Sequence, residues 1–121
     1  MIDQDELGPL FAGIQASITI ADENERIVYL NDMAVEHYGD QGGDALLGSN
    51  VYDCHNPTSQ DKIRELYSRY RAGDRTPVRY HTEKRDGHAE SVVLFPLVVD
   101  GFFRGVAELM WEERRELVFE T

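Results

Sequence analysis

Apolar residues recur every three to four positions in two stretches of this chain and every second position in several others. In "DELGPLFAGIQ", Leu7, Leu10, Phe11 and Ile14 stand at i, i+3, i+4 and i+7. That stripe predicts a short amphipathic helix with acids in its first turn. "ASITIADENERIVYLN" predicts two strands about a polar turn, carried by Ile18, Thr19 and Ile20 and then by Ile27, Val28 and Tyr29. "NDMAVEHYG" reads as a short helix ending at Gly39, "DQGGD" as a loop, and "ALLGSNVYDCH" as one helical turn with an irregular connection. The next helix has the fullest set of signals. Asn56 suits its N-cap and Pro57 its first position, where the missing N–H costs nothing. Ile63, Leu66, Tyr67 and Tyr70 make its inward stripe, and Gly73 suits a left-handed C-terminal cap.

The last third is β. Asp86-Gly87 and Asp100-Gly101 have the preferred content of two-residue hairpin turns and separate runs at 77–85, 88–99 and 102–112. Pro96 cannot donate to a ladder, so a bulge or a local edge is expected there. In the final run, strict alternation puts Phe103, Gly105, Ala107, Leu109 and Trp111 on one face, expected to be inward. Arg104, Glu108, Met110 and Glu112 then face solvent. The order helix, β, β, short helices, longer helix, β, β, β argues an α+β fold, with helices on one face of an antiparallel sheet.

Charge changes this picture locally. Lys and Arg number 12 and Asp and Glu 23, a net charge of −11. Such a balance argues against non-specific nucleic-acid binding, which works by displacing counterions with positive charge. Arg26 is the single basic residue before position 51, whereas eight basic residues fall between Lys62 and Arg85. This reads as a solvated helix and hairpin, or as a local field for an anionic group such as a carboxylate. No run of 18 apolar residues exists, so no membrane span is expected. One cysteine, Cys54, cannot form an internal disulfide and suits a cytoplasmic location. It reads as a small buried apolar residue. Paired zinc-ligand spacings, a Gly-rich phosphate loop and a nucleophile motif are all missing, so the chain is not expected to be an enzyme.

"IADENERIVYLNDMAVEHYG" resembles the opening of a PAS domain at Asp22, Ile27, Tyr29, Asn31, Ala34 and Gly39. The resemblance implies a five-stranded antiparallel sheet in spatial order 2-1-5-4-3, with helices over one face and often a ligand between them. Residues 14–112 would form the sensor domain, 1–13 an N-terminal amphipathic helix, and 113–121 the start of a C-terminal linker helix.

"CHNPTSQDKIRELYSRYRAG" resembles the His-x-Pro-x-Ser segment of a PAS subgroup that includes domains found beside hemerythrin-like modules, and it also looks like the haem-binding PAS domain of the bacterial regulator of carbon monoxide metabolism. His55 matches an axial haem ligand there, and Ser59, Asp61, Lys62, Ile63 and Arg64 match the helix after it. The resemblance implies haem bound through His55 and a reading of diatomic gas or redox state. Its lining would come from Ile63, Tyr67, Phe95, Gly105, Ala107 and Leu109, with Arg64 and Arg75 for its carboxylates. The further Cys and Met ligands of that sensor are replaced here by Arg75, Thr76 and Lys84.

The residues alone leave other roles open. His55 could cap or bond nearby backbone, and Gly105 and Ala107 could accommodate Tyr67 or Phe95. His81 is expected to face solvent and His37 to end a helix. Three readings follow: a haem sensor, a haem-free module that forms a homodimer or docks an output domain, and a pocket for a small carboxylate ligand.

Overall fold

The computed structural model describes residues 3–53, 55–83 and 87–120. Cys54 and the first three residues of "KRDG" therefore lie outside the described residues, and with them the first half of the Asp86-Gly87 turn.

The chain runs α1 (Gln4–Ala12), β1 (Ser17–Asp22), β2 (Ile27–Leu30), α2 (Asp32–His37), α3 (Pro57–Arg71), β3 (Val78–Glu83), β4 (Ala89–Val99) and β5 (Phe102–Glu112). Short 3-10 turns at Gly39–Gln41 and Gly43–Leu46 fill the space between α2 and α3. The five strands form one antiparallel sheet in the order β2-β1-β5-β4-β3, the expected arrangement.

Local chemistry accounts for these elements. The Asp22 carboxylate accepts from the backbone N–H groups of Asn24 and Arg26, which bends the chain from β1 into β2. Asn31 is buried and fully used. Its Oδ1 caps α2 through the Ala34 N–H and also accepts from Ile18, while its Nδ2 donates to Ala16. One side chain thus fixes the end of β2, the start of β1 and the first turn of α2. Asn56 caps α3 at the Ser59 N–H, Pro57 follows it, and Gly73 sits just past the end at φ 106°. Asp100 and Gly101 both have positive φ, 52° and 82°, as a two-residue hairpin turn requires.

Pro96 pairs with Val106 on β5, but β3 pairs with β4 only as far as Leu94. The proline thus sits at a local edge. A bulge lies in β5 instead. Leu97 pairs with Gly105 and Val98 with Phe103, so Arg104 is the extra residue.

The face assignment in β5 and the C-terminal linker helix are corrected, while the N-terminal helix forms as expected. The bulge reverses the alternation of β5, so Val106, Glu108 and Met110 pair beside Ala21, Thr19 and Ser17 on the helix-facing side. Gly105, Ala107 and Leu109 face away from α3, and Met110 is buried rather than solvent-facing. Helix α1 forms, but none of its residues is buried, so its apolar stripe of Leu7, Leu10 and Phe11 stays exposed. Where a linker helix was expected, the chain makes one 3-10 turn, Glu113–Arg115, and no helix follows to residue 120.

Candidate functional site

The site lies between α3 and the helix-facing side of the sheet. At one end the interface is packed. Leu66, Tyr67 and Tyr70 of α3 bury against Ala21 and Val106, with Phe103 edge-on to Tyr67 at 5.7 Å between ring centroids. Both phenols are satisfied: Tyr67 Oη donates to the Asp22 carbonyl at 2.9 Å and Tyr70 Oη to the Thr76 carbonyl at 2.8 Å. Burial above all, then the nearby Glu25 and Asp22, raises the Tyr67 pKa far above the phenol range, so it remains a donor.

Beside these tyrosines, and lined in part by Leu66 and Tyr67, is a cavity of about 560 Å³. Its apolar walls include Ala21, Ile27, Val51, Ile63, Leu94 and Val106. Its mouth carries Ser59, Lys62, Glu65 and Arg69 from α3.

Glu108, Tyr38, Thr19, Tyr80 and His55 are among the polar residues that line the cavity from the sheet side and the segment over it. Glu108 of β5 accepts a hydrogen bond from Tyr38 Oη at 2.8 Å. Thr19, its cross-strand neighbour, is 8% exposed, and its Oγ1 is buried with no hydrogen-bond partner. Tyr80 stands on β3 near enough to Glu108 that burial first, and then that carboxylate, push its phenol up to about 12. His55 also lines the cavity, with Nδ1 at 2.9 Å from the Val51 carbonyl. A carbonyl only accepts, so Nδ1 carries the proton in the neutral ring and Nε2 holds the lone pair.

Of the residues expected from sequence, His55, Ile63 and Tyr67 meet at this cavity. Arg64 instead pairs with Asp61 at 3.1 Å and stacks over the Tyr52 ring, largely exposed. Arg75 donates to the carbonyls of Tyr70 and Asp74, which ties the end of α3 to the loop before β3. Phe95 pairs with Ala107 on the opposite face of the sheet and is exposed. Gly105 leaves room for backbone rather than for a ligand. A Cβ there would lie 2.1 Å from the Ala21 carbonyl oxygen. The sequence reading missed Glu108, Thr19, Tyr38 and Tyr80. The signal for Glu108 was Gly105 itself, because a glycine inside a strand often marks a bulge or a close backbone approach.

His81 borders the cavity, but its ring alternates with Tyr80 and Thr82 along β3 and joins a cluster on the far side of the sheet. Its Nδ1 lies 2.7 Å from Glu113 Oε1, to which Ser91 Oγ also donates at 2.9 Å. The hydrogen bond to Glu113, then that to Glu83, raises the His81 pKa, while His81 and then Ser91 lower that of Glu113.

The sheet order and the helices packed against the sheet define a single-sheet α+β domain. The chain belongs to the PAS fold family, whose match runs over residues 11–115. Among solved structures it is similar to the C-terminal domain of a Streptococcus mutans protein. There it is 22% identical, with a TM-score of 0.74, covering 92% of this chain and 85% of that one. It is also similar to the PAS domain of Bordetella pertussis BvgS, at 19% identity and a TM-score of 0.66, covering 90% and 87%. A sensory box sensor histidine kinase from Vibrio cholerae is 14% identical with a TM-score of 0.58, covering 88% and 87%. At such identities the likeness establishes the fold. No curated protein matches the chain. No described helix is long and apolar enough to cross a membrane.

Proposed function

We propose that this PAS domain is a sensory module that reads a small molecule held between α3 and the sheet. The cavity of about 560 Å³ carries the reading. Interiors of folded domains are close-packed, and a space of this size with apolar walls and a few convergent polar groups is the usual form of a ligand site. A bound molecule would bear on α3 from one side and on β1 and β5 from the other. The chain runs from β5 directly into Glu113–Arg115. Occupancy would thus favour one packing of α3 against β5 and bias a second copy or an attached output domain. The sensor histidine kinase among the similar structures supports this role.

The second reading is haem bound through His55. One observation favours it: the Val51 carbonyl fixes the ring so that Nε2 carries the lone pair, the arrangement common to metal-ligating histidines. Haem would supply an iron centre responsive to gas or redox state. The rest of the anticipated set fits it poorly, since Arg64, Arg75, Gly105, Ala107 and Leu109 do not line the cavity.

Two measurements test the readings. Xenon-pressurised NMR should shift the methyl signals of Val51, Leu94 and Val106 in the native chain and not in Leu94→Trp, which fills the space. Unmoved methyls would overturn the cavity reading. Haemin titration followed by absorbance should give no saturable one-to-one complex. A sharp Soret band that shifts on reduction and is lost in His55→Ala would replace the first reading by the second.

A further inference from the structure

The cavity has an electrostatic sense that α3 and its basic mouth conceal. Glu108 and Thr19 are direct cross-strand partners on the helix-facing side of the sheet. Both line the cavity, together with Tyr38 and Tyr80. The Glu108 carboxylate receives one hydrogen bond, from Tyr38 Oη. A carboxylate has about four lone-pair sites, so most of its accepting capacity is unspent. No Lys, Arg or His pairs with Glu108 among the described residues.

Thr19 contributes no accessible hydroxyl to the cavity: its Oγ1 is buried away from any open surface, as are Ser17 Oγ and Tyr29 Oη. The polar end of the site is therefore Glu108 with Tyr38, and Tyr80 stands close enough to feel the Glu108 charge.

We infer that the cavity takes a small apolar molecule bearing a protonated amine, its N–H groups donating to the Glu108 carboxylate while its apolar body lies under α3. This deepens the ligand-sensing reading and rests on it. A carboxylate ligand, the guess suggested by the basic stretch from Lys62 to Arg85, would place like charge beside Glu108. Of those basic residues, Lys62 and Arg69 reach the cavity's edge, and Arg69 is already engaged by Glu65 and Asp74. Charge-assisted hydrogen bonds from an ammonium to a partly desolvated carboxylate are among the stronger polar contacts, and they would be lost with either charge.

The test uses three probes with the same phenyl group and three-carbon chain in calorimetric titrations of the full chain: 3-phenylpropan-1-ammonium, 3-phenylpropan-1-ol and 3-phenylpropionate. The ammonium should bind one-to-one at least tenfold more tightly than the alcohol, with no measurable binding of the propionate. Glu108→Gln, whose amide oxygen still accepts from Tyr38, should weaken the ammonium at least tenfold and leave the alcohol within twofold. Amide shifts at Thr19, Ala21 and Leu94 should mark the site. Equal binding of ammonium and alcohol, indifference to Glu108→Gln, or preference for the propionate would overturn the inference and leave the ligand cavity standing. If no probe binds while xenon still enters, the inference falls alone. If xenon is excluded as well, the cavity reading falls with it.

Discussion

The two ends of the space between α3 and the sheet are made of the same materials and treated differently. At the Tyr67–Tyr70 end, aromatic rings fill the gap and both phenols reach backbone carbonyls. At the Thr19–Glu108 end, a hydroxyl is buried without a partner and a carboxylate has one. The first arrangement is what stability alone would select. The second leaves accepting capacity unspent, as the proposed ligand site requires. Polar satisfaction, more than polarity, separates the part of this interface that holds the fold from the part proposed to bind a ligand.

The largest effect should come at the seam between the ends. Gly105 lies at the bulge, and a Cβ there would collide with the Ala21 carbonyl. Gly105→Ala should cost about 3–5 kcal/mol in urea unfolding, combining overpacking with backbone strain. A loss below about 1 kcal/mol would mean that β5 can shed its bulge, and the inward aim of Glu108 would go with it. Next comes Leu66→Ala at the packed end, expected to cost about 2–5 kcal/mol. Tyr70→Phe leaves the Thr76 carbonyl unpaired and should cost about 1 kcal/mol. If that substitution proved neutral, the claim that the packed end depends on its hydrogen bonds would fail.

The smallest effect is a control on the opposite face. His81 is raised by Glu113, so its contribution is full below the ordinary imidazole value of 6.5 and fades as pH rises through the raised one. Glu113 is lowered by His81, so its share is full above the ordinary 4.5 and fades as pH falls through the lowered value. The β3 contact to the turn after β5 should therefore hold best between those two values. NMR titration of the His81 ring should give a midpoint above 6.5 that returns toward it in Glu113→Gln. A midpoint at or below 6.5 in the native chain would remove the contact from the account.

Most of the fold was legible because short-range chemistry set it. Asp22, Asn56-Pro57 and Asp100-Gly101 each act on backbone groups within a few residues, and the last two worked as their types suggested; Asn31 adds bonds 13 and 15 residues away to its local cap. The order of strands came through resemblance. The site was legible only in part. His55, Ile63 and Tyr67 sit on or beside α3, whose period was unbroken. The β5 residues were assigned to the wrong face because alternation was carried through Arg104 as though the strand were regular. A bulge depends on the partner strand's register, and one extra residue inverts every side chain beyond it. Glu108, expected in water, was thereby hidden.

Glu108→Gln bears most directly on the contrast between the two ends. It removes the charge and keeps an acceptor for Tyr38. If the carboxylate serves a ligand rather than the fold, urea unfolding without ligand should give a stability within about 1 kcal/mol of the native chain's, and the ammonium probe should bind at least tenfold more weakly. A loss of more than about 1 kcal/mol, with ammonium binding intact, would contradict the account by showing that the carboxylate already serves the fold.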